Sequence, residues 1–227
     1  MINDEIRIFS LGETALTVEF GTTISENLNR QSIALAEYFL AHPFPGFVES
    51  VPAYASTTVF YDPVIVRRSF DGFETAFDAV SSLVADSIES LDLENDISAR
   101  TIEIPVRFDL NDEFDLAFVA AARSMTADQL IEIFTSTTYR VFLLGFLPGF
   151  SYMGEVDERI ATPRKATPRT HVPAGSVGIA GRQTGIYSLA SPGGWQIIGQ
   201  TDVEMFTPYA GSPCYLRAGD RVRFKAI

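Results

Sequence analysis

Apolar and polar positions alternate at two different periods along the chain, and the switches between them lay out its elements. Residues 5–20, EIRIFSLGETALTVEF, form two short extended runs broken at Leu11-Gly12-Glu13, as a hairpin or a kinked strand requires. From Ser25 the period lengthens. Leu28, Leu35, Ala36, Phe39 and Leu40 recur at helical spacing, with Ser25 as the N-cap and His42-Pro43 as the stop. After the turn Pro43 to Gly46, the runs Phe47 to Tyr54 and Thr57 to Tyr61 are rich in Val, Thr and aromatic residues and read as paired strands, the second ended by Asp62-Pro63. Asp71 and Glu74 have the spacing of a capping box for a second helix, with Phe73, Phe77, Val80, Val84 and Leu91 on one face. With Thr101 to Phe108 as a closing strand, the order is βαββαβ, the pattern of a ferredoxin-like α+β layer. The acidic stretch Asp92 to Asp96 marks the boundary, which gives domains 1–95 and 96–227.

The second part of the chain has a different texture. One helix is expected after Thr126, capped by Thr126 and Gln129, followed by short apolar runs separated by Pro and Gly. Tyr139 to Phe146, Ser176 to Ala180, Trp195 to Gln200, Pro213 to Leu216 and Arg221 to Ile227 are the strand candidates. That many short strands favour an all-β barrel or closed sandwich. No period of repeat architecture recurs.

Charge divides the chain at the same place. Residues 1–98 carry 4 Lys/Arg against 16 Asp/Glu, whereas residues 99–227 carry 13 of each, for a net charge of -12 overall. Between Arg159 and Thr201 stand Arg159, Arg164, Lys165, Arg169 and Arg182 with no acidic residue among them. An acidic half repels nucleic acid, and the basic stretch lacks the interleaved aromatics of a single-strand platform, so a small anionic ligand or an acidic partner loop is the better match. No apolar run is long enough to span a membrane, and the N-terminus has neither a basic start nor an apolar signal core, so a cytoplasmic protein is expected. One cysteine, Cys214, and two histidines make neither an intrachain disulfide nor a tidy zinc site, and no metal is expected.

Candidate chemistry concentrates in Gly145 to Gly199. Four turns, PGF (Pro148 to Phe150), PAGSVGIAG (Pro173 to Gly181), QTG (Gln183 to Gly185) and SPGGW (Ser191 to Trp195), bring backbone close to whatever lies opposite. Such turns can cradle carboxylate or phosphate oxygens on successive N–H groups, with arginines as bidentate donors; equally, they can simply form the corners of a small barrel. Trp195 is either a stacking platform or a core anchor, and His171 is a weak candidate acid or base without a GxSxG nucleophile to serve. Cys214 reads as a buried structural thiol. There is no GxxxxGK[ST] or GxGxxG loop, so any ATP site is unconventional or lies on a partner.

Three blocks carry a family resemblance: LGFLPGFSYMG (Leu144 to Gly154), ATPRKATPRTHVPAGSVGIAGRQTGIY (Ala161 to Tyr187) and SPGGWQIIGQT (Ser191 to Thr201). With GETALTVEFG (Gly12 to Gly21), the strands from Phe47 to Pro63, and AGDRVRF (Ala218 to Phe224), they resemble the KipI family, also described as the 5-oxoprolinase B subunit or as allophanate hydrolase subunit 1. The resemblance implies an N-terminal ferredoxin-like α+β domain and a C-terminal all-β cyclophilin-like barrel. It implies one component of a three-part, ATP-dependent enzyme that opens 5-oxo-L-proline to L-glutamate, acting with an A subunit and paired with a C subunit. On that reading ATP is bound with a partner, and Arg164, Lys165, Arg169, Gln183, Thr184 and Ser191 line a site whose wall Gly193, Gly194 and Trp195 shape. Relatives often carry Cys-Tyr-Gly-Gly where this chain has Arg107-Phe108-Asp109-Leu110, and a histidine where it has Phe134. The alternative is a regulatory binding protein of the KipI type, which inhibits a sensor histidine kinase.

Overall fold

The structure, a computed structural model, describes residues 6–91, 100–108 and 114–227. The chain divides into two compact units, residues 1–97 and 98–227. The acidic stretch Asp92 to Asp96 lies outside the described residues.

The first unit contains β1 (Arg7–Ser10), β2 (Ala15–Glu19), α1 (Glu26–Ala41), β3 (Phe47–Pro52), β4 (Ser56–Tyr61), α2 (Pro63–Ser69) and α3 (Ala76–Glu89). Its antiparallel sheet has the order β1-β2-β4-β3. Leu16, Val18, Val59 and Tyr61 from the sheet meet Leu35 and Phe39 of α1 and Val80 and Val84 of α3 in one core. Polar groups on the buried face of α1 are spent on the sheet. Asn29 Nδ2 donates to Ala53 O (3.0 Å), Ser32 Oγ to Ser56 O (2.5 Å), and Thr57 Oγ1 to Ser32 O (2.7 Å). Buried polar side chains are tolerated when every donor finds an acceptor in this way.

Three expectations need correction. Asp62-Pro63 does end β4, but it also begins a helix: Asp62 Oδ1 accepts from Val64 N (2.8 Å) and Ile65 N (3.1 Å), with proline in the first turn. Seven residues are too few for a helical period to show. The capping box before α3 is Thr75 with Asp78, not Asp71 with Glu74, so Phe73 packs on the core from the preceding loop. Finally, Thr101 to Phe108 does not close this sheet. β1 occupies the edge beside β2, and Thr101 to Val106 pairs in the second unit.

That second unit contains β5 (Thr101–Val106), α4 (Leu116–Ala122), α5 (Ala127–Ser136), β6 (Thr138–Leu144), β7 (Ser151–Gly154), β8 (Arg169–Val172), β9 (Ser176–Ala180), β10 (Gln183–Ile186), β11 (Ser191–Gly193), β12 (Gln196–Gln200) and β13 (Arg221–Ala226). Thr126 and Gln129 form the expected capping box of α5. Seven strands make one sheet in the order β12-β9-β10-β7-β6-β13-β5, and β8 pairs with β11 in a separate ribbon. The sheet curls until its two edges meet just past β5: Arg107 N donates to Gln200 O (2.8 Å) and Gln200 N to Arg107 O (2.9 Å). Gly199 permits the approach, since a Cβ there would fall 2.7 Å from Val106 Cγ1 and 2.8 Å from Arg107 O. Pro213 to Leu216, expected as a strand, makes only a single bridge from Cys214 to Phe206, and Cys214 is a half-buried free thiol.

Phe134 belongs to the centre of this core. Its ring stacks on Phe224 at 4.9 Å and lies 5.2 Å from Tyr139, whose hydroxyl donates to Phe134 O (2.9 Å). The position at which the family resemblance leads one to expect a histidine is apolar and fully buried in this chain. Among the described residues no helix is long and apolar enough to cross a membrane.

Candidate ligand-binding site

Of the five cations in the acid-free stretch, four are neutralised by carboxylates from outside it. Arg159 pairs with Asp157 (2.7 Å), and Arg182 with Glu155 and Glu158. Lys165, in the proline-flanked loop before β8, and Arg169, the first residue of β8, both reach Asp115. Arg164 is left without a carboxylate partner among the described residues, its guanidinium 5.9 Å from the centre of the Trp195 ring.

Asp115 is the organising residue, and sequence reasoning missed it. It precedes α4, where an aspartate ordinarily caps the helix, yet its side chain caps nothing. Instead Oδ1 accepts from Lys165 Nζ (2.8 Å) and Arg169 Nη2 (2.8 Å), and Oδ2 from Arg169 Nη1 (2.7 Å) and the Ile197 amide (2.7 Å). Burial works to raise the Asp115 pKa, but the bonds from Arg169, Lys165 and Ile197 outweigh it and the net direction is down. The same contacts raise the Arg169 pKa. One carboxylate thus ties α4, the loop at 165, β8 and β12 together.

Two clefts flank this tie. The smaller, about 280 Å³, is lined by Phe114, Arg169, His171, Ser176, Ile197 and Gln200. The larger, about 550 Å³, is lined by Phe118, Arg123, Thr162, Arg164, Lys165 and Gln196 among others. Beneath Arg164 sits an aromatic floor. Trp195 is 5% exposed and meets Phe150 at 5.5 Å and Tyr152 at 5.8 Å, while Phe150 meets Tyr187 at 5.2 Å. Burial raises the pKa of both Tyr152 and Tyr187, against the pull of Arg164 in each case. Gly193 lies hard against this floor: a Cβ there would fall 2.2 Å from the Tyr187 hydroxyl. Phe146, at the exposed rim, holds a left-handed backbone with φ 68°, a conformation that costs free energy and is kept only where the surroundings impose it.

The residues singled out from sequence therefore fall into three groups. Arg164 and Lys165 line the larger cleft, and Arg169 and His171 the smaller. Gly193, Gly194 and Trp195 are not among the residues that line either cleft, although Gly194 O accepts from Lys165 N (2.7 Å). Gln183 and Thr184 lie on β10, where the Thr184 hydroxyl donates to Gly178 O (2.9 Å), and the Ser191 hydroxyl donates to Pro192 O (3.1 Å). Arg123, at the end of α4, is a second lining cation that the sequence did not mark. Among the described residues no three His, Cys, Asp or Glu side chains gather as metal ligands.

Comparison with known proteins fits this arrangement into a lineage. Residues 6–216 match the family model described as carboxyltransferase domain, subdomain C and D. The chain belongs to that family. Among carboxyltransferase subdomain C and D relatives, the 5-oxoprolinase B subunit of Bacillus subtilis (strain 168) is 41% identical over 97% of this chain and 92% of its own length. The protein of the same name from Escherichia coli O157:H7 is 40% identical over 96% and 94%. The crystal structure of TTHA0988 superposes with a TM-score of 0.80 at 38% identity, covering 98% of this chain; the chain spans 40% of that longer protein.

Proposed function

We propose that this chain is the B subunit of a multi-subunit, ATP-dependent 5-oxoprolinase that converts 5-oxo-L-proline to L-glutamate, working with C and A subunit homologues. The observation that carries the reading is identity of about two residues in five, end to end, with two proteins of that name. In the same reading, the first unit is a ferredoxin-like layer with β1 in the place of its fourth strand, and the second is a cyclophilin-like barrel closed at Arg107 and Gln200.

The smaller cleft suits the substrate. A five-membered lactam bearing a carboxylate needs little room, an apolar wall for the ring and a few convergent polar groups, which Phe114, Ile197, Arg169, His171 and Gln200 supply. Arg169 faces the carboxylate while Asp115 holds its guanidinium in place. A lactam is a poor electrophile, and ATP supplies the phosphoryl group that makes its carbonyl oxygen a leaving group. The chain has no phosphate-binding loop of the common kinds, so nucleotide binding is assigned to the assembled complex. What the chain contributes is orientation: it fixes the ring against Phe114 and excludes water from one face.

The test is 5-oxoproline-dependent ATP hydrolysis by the chain mixed with candidate A and C subunits, each omitted in turn. Turnover that requires this chain supports the reading. An intact three-part complex with no oxoproline-dependent turnover refutes it.

A further inference from the structure

The larger cleft has a chemistry of its own that the substrate reading does not use. Three cations, Arg123, Arg164 and Lys165, line it, and among the described residues no acidic side chain does. Among the described residues, only Lys165 has its charge met, by Asp115 (2.8 Å). Among the described residues, Arg123 reaches no nearer polar partner than Thr162 Oγ1, at 3.5 Å, and Arg164 lies over Trp195 with no carboxylate beside it. In a chain of net charge -12, two arginines that could have been paired but are held open on one wall mark a place for an anion. Gln196, 4% exposed, adds a buried amide: its Nε2 donates to Pro163 O (3.0 Å), and its Oε1 has no partner among the described residues. An acceptor buried without a donor is costly, and a hydroxyl of a bound molecule would satisfy it.

The cleft is also too large and too apolar on one side for a bare ion. Its volume is about 550 Å³. On that side Phe118, on α4, is 58% exposed and offers an apolar face to the cleft.

We propose that this cleft binds a small organic phosphate, with its phosphate on Arg123, Arg164 and Lys165 and its flat or apolar part on Phe118. Arginine forks match phosphate oxygens two at a time, which favours phosphate over a halide or a lone carboxylate. The proposal stands apart from the oxoprolinase reading, because binding is measured on this chain alone.

Trp195 is the sole tryptophan, and Arg164 sits over it, so the site carries its own reporter. The full chain is titrated with inorganic phosphate and with phenyl phosphate at constant ionic strength, following Trp195 emission. Both should give saturable changes, with phenyl phosphate the tighter; Phe118→Ser should erase that difference, and Arg123→Gln should weaken both by about tenfold or more. Thr167→Glu, which sets a carboxylate on an exposed position of the cleft wall, gives a second route to the same loss should Arg123→Gln fold poorly. The proposal is overturned if neither compound saturates, if potassium chloride reproduces the change, if phenyl phosphate binds no tighter than phosphate, or if the folded variants bind as the parent does.

Discussion

Replacing Asp115 by alanine removes one carboxylate and strands three groups that depended on it: Lys165 Nζ, the Arg169 guanidinium and the Ile197 amide. The amide is the clearest loss. Ile197 is 2% exposed, and a buried N–H without an acceptor costs about 1–3 kcal/mol. Breaking a buried ion pair by deleting one partner costs about 3–5 kcal/mol, but the Lys165 and Arg169 side chains keep 29% and 23% exposure and can recover some hydration, which pulls that figure well down. Together these give a destabilisation of about 3 kcal/mol, or a fall in Tm on the order of 10–15 °C for a unit of this size. Urea denaturation followed by Trp195 emission is the assay, because the reporter lies in the same unit as Asp115. Asp115→Asn, which keeps an acceptor for Ile197, should lose less than Asp115→Ala. The folded pKa of Asp115 is lowered, so its contribution is complete above the unfolded value of about 3.9 and is lost only as pH falls through the lower folded value. The gap between parent and Asp115→Ala should therefore be constant from about pH 5 to 8 and narrow below about pH 4. A loss under about 1 kcal/mol at neutral pH, or a gap that closes as pH rises, would refute the reasoning.

Other substitutions probe features elsewhere in the chain. Phe134→His puts a polar ring into a fully buried stack with Phe224 and should cost about 2–4 kcal/mol in the same urea assay. Gly199→Ala drives a methyl group into Val106 and Arg107 and should cost about 1–3 kcal/mol, with hydrogen exchange accelerated at the Arg107 and Gln200 amides before the rest of the sheet. Thr75→Ala breaks the capping box of α3 and should lower the stability of the first unit by about 1 kcal/mol, read by far-ultraviolet circular dichroism, since that unit contains no tryptophan. Arg164→Gln should shift Trp195 emission while changing stability by no more than about 1 kcal/mol, as expected for an exposed cation over an aromatic ring.

Where local pattern decides structure, the sequence was readable. Ser25 caps α1, Thr126 and Gln129 cap α5, and Ser176 to Ala180 is a strand to the residue, because each rests on contacts between near neighbours. It failed where partners are distant. Nothing in Thr101 to Val106 distinguishes a strand that lies beside β2 from one that pairs with Arg221 to Ala226, since the choice is made by the far strand. The basic stretch was visible, and so was its lack of acids, but not that four of its five cations are met by carboxylates from elsewhere. Asp115 was hidden for a sharper reason. An aspartate ahead of an apolar helix carries the signature of a cap, and here the same signature serves a different bond. Arg123 was missed because nothing local separates it from any other cation at a helix end.

The parallel pairing of β5 with β13 has a consequence for how the chain is made. The first unit can close as soon as α3 leaves the ribosome, for every strand of its sheet has emerged by Tyr61. The second cannot, because β5 appears early and must wait for β13, the last strand in chain order, which also brings Phe224 to the rings of Phe134 and Tyr139. During that interval β5 and β6 each lack the neighbour that separates them in the finished sheet, and α5 has no Phe224 to pack upon. Exposed strand edges of this kind are the surfaces on which nascent chains aggregate. Synthesis of the second unit is thus a wait with open edges, which lasts from α5 until β13 arrives.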